Sequence, residues 1–290
     1  MTRPVFRVPT DLLRDARSED SVELTGPEGH HARTVRRLGP GEELDLVDGR
    51  GLRAPGVVRE LLPEGLLVRL MADPAPEPVG RLVLVQALAK GDRDLMAVEM
   101  ATELGVAAIV PWQAERSIVR WKGERAARSH AKWERTAAAA AKQARRAVVP
   151  DVLPLADLEA LLGQVGPEDL VLVLHEQARN PLSREVPARL PDPQGRGRVL
   201  LVVGPEGGIS PEETRRLVAA GAHPVRLGPE VLRTSTAGAA ALAVLQVLSG
   251  HWSQPGPGLD EEVQCLARAD RVEIVDPEVA GRRIDLEHPA

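Results

Sequence analysis

The sequence predicts an α/β protein in two parts. A small β-barrel with one helix is expected over residues 1–72, and a larger parallel-sheet domain over 81–250. Three observations lead there. Short apolar segments broken by Gly, Pro and Asp fill the first part, as in compact β units. The proline-rich DPAPEPVG at 73–80 reads as a linker. Beyond it, strand-like and helix-like segments alternate, which implies crossover connections and a largely parallel sheet.

In the first part the β-segments are SVELTG (21–26), EELDLVDG (42–49), LRAPGVVREL (52–61) and GLLVRLMA (65–72). PEGHHARTVRRLGPG (27–41) interrupts them, with His31, Val35 and Leu38 at helical spacing and Arg33, Arg36 and Arg37 among them. In the second part RLVLVQAL (81–88) is an apolar strand. DRDLMAVEMATELG (92–105) is a helix with apolar Leu95, Val98 and, near its end, Leu104 at helical spacing and Gly105 as its C-cap. VAAIVPW (106–112) is a strand, and HAKWERTAAAAAKQARRA (130–147) a strong helix-former whose Arg145 and Arg146 would complement its macrodipole. DLVLVLHE (169–176) and GRVLLVVGPEGG (197–208) are buried-type strands. PEETRRLVAAGA (211–222) is a helix, HPVRLG (223–228) a short strand and STAGAAALAVLQVLSG (235–250) an apolar helix, with Thr234, Ser235 and Thr236 expected to cap it. The tail 251–290 is acidic, with one strand-like stretch, RVEIVD.

A chain of 290 residues has ample length for an ordinary core. No apolar run approaches the roughly 20 residues of a membrane span, and the first residues lack a signal-peptide core, so a cytoplasmic protein is expected. The single cysteine, Cys265, leaves no internal disulfide and no multi-cysteine metal site, and no metal is expected. The net charge of −5 argues against nucleic-acid binding by the whole surface. Its distribution argues otherwise: from Arg116 to Arg146 the cations are opposed only by Glu124 and Glu134, while acidic residues collect beyond residue 258. One cationic surface suits RNA phosphates, and a solvated helix face is the plain alternative.

In a parallel α/β sheet, ligands bind outside the carboxyl ends of the strands. Four loops leave strands there: Ala89-Lys90-Gly91-Asp92, His175-Glu176, Gly204-Pro205-Glu206-Gly207-Gly208, and LGPEVLR from Leu227 to Arg233. The turn at 204–208 resembles a phosphate cradle, but no Lys-Ser/Thr follows it and the dinucleotide spacing is absent. Glu206 would also oppose an anion. A neutral or cationic ligand fits better, such as a sulfonium, a ribose or an amine.

VVGPEGGISPEE followed by VRLGPEVLRTSTAGAAALAVL resembles the C-terminal signature of SPOUT RNA methyltransferases. With KGDRDLMAVEMATELGVAAIVPWQAERSIVRW and WERTAAAAAKQARRAVVPDV upstream, the chain is similar over about residues 5–249 to the RsmE-type family, which methylates N3 of a uridine in 16S ribosomal RNA. The resemblance implies a PUA-like barrel ahead of a SPOUT domain whose C-terminal segment threads a trefoil knot, a rare topology. It also implies S-adenosyl-L-methionine as cofactor, a homodimer with the site at its interface, and 16S rRNA within the small ribosomal subunit as partner. Carried over by motif, the cofactor residues are His175, Glu176, Gly204, Pro205, Glu206, Gly207, Gly208, Leu227, Gly228, Val231, Leu232, Arg233 and Thr234.

For catalysis, methylation of N3 needs a base or cations that stabilise charge spreading to O2 and O4. Arg233 is the first candidate, Arg145 or Arg146 of the partner subunit the second, and Glu206 and Glu103 are candidate bases. The cations expected to meet RNA are Arg33, Arg36, Arg37, Lys90, Arg93, Arg116, Arg120, Lys142, Arg145 and Arg146. Trp112 and Trp121 lie beside basic residues, Trp133 has core spacing, and recognition by shape and phosphates is expected over stacking. Two positions depart from the family pattern: Ser235 where Glu is frequent, and Lys142-Gln143 where Glu-Gln is frequent. The rival readings are another SPOUT methyltransferase, acting on a ribose 2′-OH or a tRNA base, and a non-catalytic RNA-binding assembly factor. The intact GPEGG segment opposes the latter, and Ser235 leaves it room.

Overall fold

The computed structural model describes residues 3–191 and 195–253. The acidic tail beyond them, with RVEIVD and Cys265, lies outside the described residues. A first sheet contains β1 (Val5–Arg7), β2 (Ser21–Leu24), β3 (Glu43–Val47), β4 (Leu52–Leu62), β5 (Gly65–Leu70) and β6 (Ala75–Pro76), in the order β1-β3-β4-β5-β2 with β6 on β4. Alternation along these strands turns Val22, Leu24, Leu44, Leu46, Leu66 and Val68 inward, where they pack with Phe6 and Leu13. β1 has only three residues, too few for a period-2 pattern, and gains its place by parallel pairing with Asp45–Val47.

Two helices belong to this part, α1 (Asp11–Arg14) and α2 (Gly26–His30), and α2 runs on into a π-helical turn, His31–Val35. There the Arg36 N–H donates to His31 O, which adds one residue to the turn. That extra residue breaks the expected helical face: Ala32 and Leu38 are buried, whereas Val35 is exposed. The expected linker at 73–80 is partly tied down. Ala75–Pro76 pairs with β4, the Glu77 N–H donates to Gly51 O at 2.7 Å, and the Glu77 carboxylate takes Arg53.

The second sheet has the order β12-β10-β11-β7-β8-β9, with every pair parallel. Its strands are β7 (Leu82–Ala87), β8 (Ala108–Trp112), β9 (Asp151–Val152), β10 (Leu170–Leu174), β11 (Val199–Val203) and β12 (His223–Val225). The helices are α3 (Arg93–Glu103), α4 (Glu124–Gln143), α5 (Leu158–Gly163), α6 (Leu182–Glu185), α7 (Pro211–Ala219) and α8 (Thr234–Leu248). Leu84, Leu172 and Leu201 meet α3, α4 and α8 through Val98, Trp133 and Leu242. Val85, Val173 and Val202 meet α5 and α7 through Leu161 and Leu217. Both faces are covered, so every residue of β7 and β11 is buried.

Beyond α4 the chain stitches the two sheets together. The Gly51 N–H donates to Ala147 O at 3.1 Å and the Val149 N–H to Gly49 O at 2.9 Å. Met1–Trp252 accordingly forms one compact unit. Among the described residues no helix is long and apolar enough to cross a membrane.

Candidate functional site

The carboxyl ends of β10, β11 and β12 and the start of α8 enclose a cavity of about 860 Å³, a size typical of small-molecule sites. Three of the four loops singled out in the sequence form its walls. They contribute His175 and Glu176, all of 204–208, Leu227 and Gly228, and Val231 to Thr234. The fourth loop, at 89–92, does not line the cavity but supports it through Glu206.

Glu206 accepts hydrogen bonds from the Lys90 N–H at 3.1 Å and from Arg93 Nη1 at 3.0 Å. Burial opposes its ionisation, but bonds from its own N–H, from Lys90 and from Arg93 outweigh that and hold its carboxyl below the usual carboxylate range. Glu206 is thus ionised at neutral pH and is a weaker proton acceptor than a base that titrates near the working pH. Arg93, expected on the RNA surface, is drawn to Glu206 instead and lines the cavity.

The turn is braced from behind by α7. Ser210 Oγ accepts the Glu213 N–H at 3.1 Å and Glu213 Oε2 accepts the Ser210 N–H at 3.0 Å, a reciprocal cap on the helix start. The other Glu213 oxygen accepts the Glu115 N–H at 2.7 Å. This brings Arg116 across the turn, where Nη1 donates to Gly207 O at 3.2 Å. A Cβ on Gly207 would stand 3.3 Å from Arg116 Cβ, so a side chain there would push the arginine away. Arg116 is therefore part of the cavity wall as well as of the cationic surface.

Arg233 occupies the N-cap position of α8 with extended backbone, exposed on the cavity wall. Its guanidinium has no hydrogen-bond or ion-pair partner among the described residues. Arg226 shares both properties and was missed in the sequence, although it immediately follows β12 at the ligand-binding edge. The expected hydroxyl cap on α8 is not formed. Thr234 Oγ1 donates to Gly204 O at 2.8 Å and accepts from Gln86 Nε2 at 2.9 Å. Ser235 is buried and does not line the cavity. Glu103, the other candidate base, does not line the cavity either. It is exposed at the last residue of α3, the end opposite the 89–92 loop, because that helix runs back toward the amino ends of the strands.

The expected RNA-facing cations separate into two groups. Arg36, Arg37, Lys90 and Arg145 are exposed with no side-chain partner among the described residues, and Arg120 is exposed while donating to Glu115 O at 2.6 Å. Others are committed to the fold. Arg33 donates to the carbonyls of Leu62 and Pro63. Lys142 pairs with Glu28 at 2.7 Å and sits 5.7 Å from the Phe6 ring centroid, joining α4 to the barrel. Arg146 donates to Thr102 O at 2.7 Å and Val106 O at 2.8 Å. It complements the C-terminal end of α3 rather than of α4, which has already ended at Gln143, and burial lowers its pKa. Trp112, Trp121 and Trp133 are all buried and offer no face to a base.

Arg146→Met is accordingly expected to destabilise the protein by about 1.5–3 kcal/mol, the scale of a hydrogen bond to a charged group, with RNA affinity of the folded protein unchanged. Arg145→Ala should do the reverse and reduce the salt dependence of RNA binding, by about 0.7–0.9 in log–log slope for one phosphate contact. Urea denaturation and binding across a salt series check both. Weaker RNA binding by a fully stable Arg146→Met protein would contradict the assignment.

Comparison with known proteins agrees with this architecture. A family model described as an RNA methyltransferase domain matches residues 75–246, and one described as an RNA methyltransferase PUA domain matches 24–70. The chain is 43% identical over 247 residues to ribosomal RNA small subunit methyltransferase E of Mycobacterium bovis, covering 83% of this chain and 91% of that protein. It is 28% identical to the Bacillus subtilis protein of the same name, over 78% and 89% of the two chains. The crystal structure of ribosomal RNA small subunit methyltransferase E from Neisseria gonorrhoeae bound to S-adenosyl methionine matches with a TM-score of 0.72 at 30% identity, over 85% and 98% of the two chains. With a PUA domain ahead of a methyltransferase domain and relatives aligned along most of its length, the chain belongs to the ribosomal RNA small subunit methyltransferase E family.

Proposed function

We propose that the protein methylates N3 of a uridine in 16S rRNA of the small ribosomal subunit, using S-adenosyl-L-methionine. The observation that carries this reading is the unpaired Arg233 guanidinium on the wall of a roomy cavity beside a glycine turn that holds an ionised Glu206. The residues present suit that cofactor: the cavity is of adequate size, its walls expose main-chain groups of 204–208 and 227–228, and Glu206 favours a ligand carrying positive charge. When bound, the cofactor supplies an electrophilic methyl group on a sulfonium.

The protein's share of the chemistry is to orient the uridine, exclude water and stabilise charge. Loss of the N3 proton spreads negative charge to O2 and O4, and Arg233 is placed to balance it, with Arg226 as a second cation on the same wall. Exposed Arg36, Arg37 and Arg120 offer phosphate contacts for the RNA.

In this reading a second copy of the chain completes the site in the cytoplasm. Val231 is 76% exposed and Leu232 38% exposed on the cavity wall, an apolar surface that a partner subunit would cover. Because Arg146 is turned inward, Arg145 is the cation that the partner would bring. A threaded crossing is consistent with the return of the chain from edge strand β12 to α8 against β7 and β11. On that path Arg226 hydrogen-bonds with Asn180 O and the Leu182 N–H, both at 2.9 Å.

The test is methyl transfer by the purified protein to small subunits from a strain lacking this enzyme, followed by mass mapping of the modified nucleotide. Label on uridine N3 of 16S rRNA is expected. Label on a ribose or on tRNA would transfer the protein to another SPOUT activity, and no cofactor binding at millimolar concentration would favour a non-catalytic assembly factor.

A further inference from the structure

Gln86 is the one polar side chain in the apolar strand β7, and it is completely buried. It lies in register with Val203 on one side and Pro111 on the other, in the middle of the sheet. Its Nε2 donates to Ala87 O at 3.0 Å and to Thr234 Oγ1 at 2.9 Å, and Thr234 Oγ1 donates to Gly204 O at 2.8 Å. The proton count fixes the direction. A hydroxyl has one hydrogen, and Gly204 O can only accept, so Thr234 must spend its hydrogen there and receive one from Gln86.

The chain of bonds ties α8 to the paired strands β7 and β11, which that helix otherwise meets by packing. Gly204 opens the turn after β11, and Thr234 directly follows Arg233 and begins α8. Close docking of α8 beside Gln86 depends on Gly238, where a Cβ would stand 3.1 Å from Leu84 Cδ1 and 3.8 Å from Gln86 Oε1. Packing alone does not explain the amide. Gln86 Oε1 is buried without a partner, a cost that leucine or methionine of similar size would avoid. A local rule broken next to a reactive site points to function rather than stability.

We propose that Gln86 and Thr234 form a buried relay that fixes the separation between the 204–208 turn and Arg233, which makes both of them positioning residues for methyl transfer. The proposal rests on the role of Arg233 given above. Gln86 touches no part of the cavity, and its influence passes through Thr234.

Three variants test it: Gln86→Leu, Thr234→Val and Thr234→Ser. Gln86→Leu should keep the thermal midpoint of the wild type while the single-turnover methyl-transfer rate falls about 10–100-fold, the scale of a misplacement near 1 Å. Calorimetric affinity for S-adenosyl-L-methionine should change far less than the rate. Thr234→Val should be slowed at least as much as Gln86→Leu, because it also loses the bond to Gly204 O, and Thr234→Ser should restore most of the lost rate because it keeps the hydroxyl. The Gln86→Leu/Thr234→Val double variant should be no slower than Thr234→Val alone, since Thr234→Val already removes the bond that Gln86→Leu breaks. Additive losses, a Thr234→Ser enzyme as slow as Thr234→Val, or an unimpaired Gln86→Leu enzyme would overturn the relay.

Hydrogen exchange separates this test from that of the proposed function. Gln86→Leu should speed amide exchange in 204–208 and 231–234 together, whichever nucleotide the wild type modifies. Unchanged exchange in both segments would refute the relay while leaving the methyltransferase reading intact. A wild type that methylates a different atom would refute the uridine-N3 reading and leave the relay to be judged at that atom.

Discussion

Arg233→Ala is expected to slow methyl transfer by about 10²–10³-fold, the range for removing one donor from a site where charge develops, while affinity for S-adenosyl-L-methionine stays near that of the wild type. The guanidinium follows a loop that lines the cavity and leads straight into α8, so its backbone is anchored although its side chain has no partner among the described residues. In the proposed reaction a donor poised in this way would stabilise the charge that develops as N3 loses its proton and would do little for the ground state. Arg233→Lys should recover only part of the rate, because a compact ammonium cannot span two oxygens as a planar guanidinium does. The measurement is single-turnover transfer to small-subunit RNA beside calorimetric cofactor binding. Equal losses in rate and affinity would move Arg233 from charge stabilisation to cofactor binding.

Trp133→Ala should cost about 3–5 kcal/mol of stability, as for other large aromatic side chains removed from a core. Trp133 is 1% exposed on α4 and meets Trp121 edge-on, with ring centroids 5.3 Å apart and an interplanar angle of 83°. The pair fills the space between α4 and the sheet, in the same cluster as Val98 and Ile109. At this chain length the loss corresponds to a fall in thermal midpoint on the order of 10 °C. Trp121→Ala should likewise destabilise, and the double variant should show coupling of about 0.5–1.5 kcal/mol from the edge-to-face contact. Urea titrations give all three values. A loss of RNA affinity in a fully stable Trp121→Ala protein would instead make that ring a stacking surface.

The positions of Trp121 and Arg146 show where a linear reading loses accuracy. Trp121 stands between Arg120 and Lys122, so its sequence neighbours suggest a wet, cationic surface, yet the ring turns inward to Trp133. Arg146 follows a helix-forming run and reads as a cation for that helix, yet its guanidinium reaches the carbonyls that end α3. Each side chain is long enough to choose among several neighbours, and only the packing of other elements decides which one. Short elements such as β1 and β6 were illegible for a different reason, since two or three residues carry no period. The π-helical turn at His31–Val35 adds a residue and so defeats a count based on regular helical spacing.

The parallel strands were legible because strands buried on both faces must be continuously apolar, and β7, β10 and β11 are long enough to show it. The loops after those strands were legible as a site because glycine, proline and charge are unusual where an apolar strand ends. Thus the sequence alone determined the two-part α/β architecture, the parallel sheet and the three loops that line the cavity. Only the tertiary structure decided what each charge does there. The Glu206 carboxyl is held below its usual range because, besides its own N–H, Lys90 and Arg93, more than a hundred residues away in the chain, donate to it. Arg233 is left without a partner because, among the described residues, no carboxylate folds against it. Ionisation and pairing depend on distance in space and on access to water, and neither quantity is written in the order of the residues.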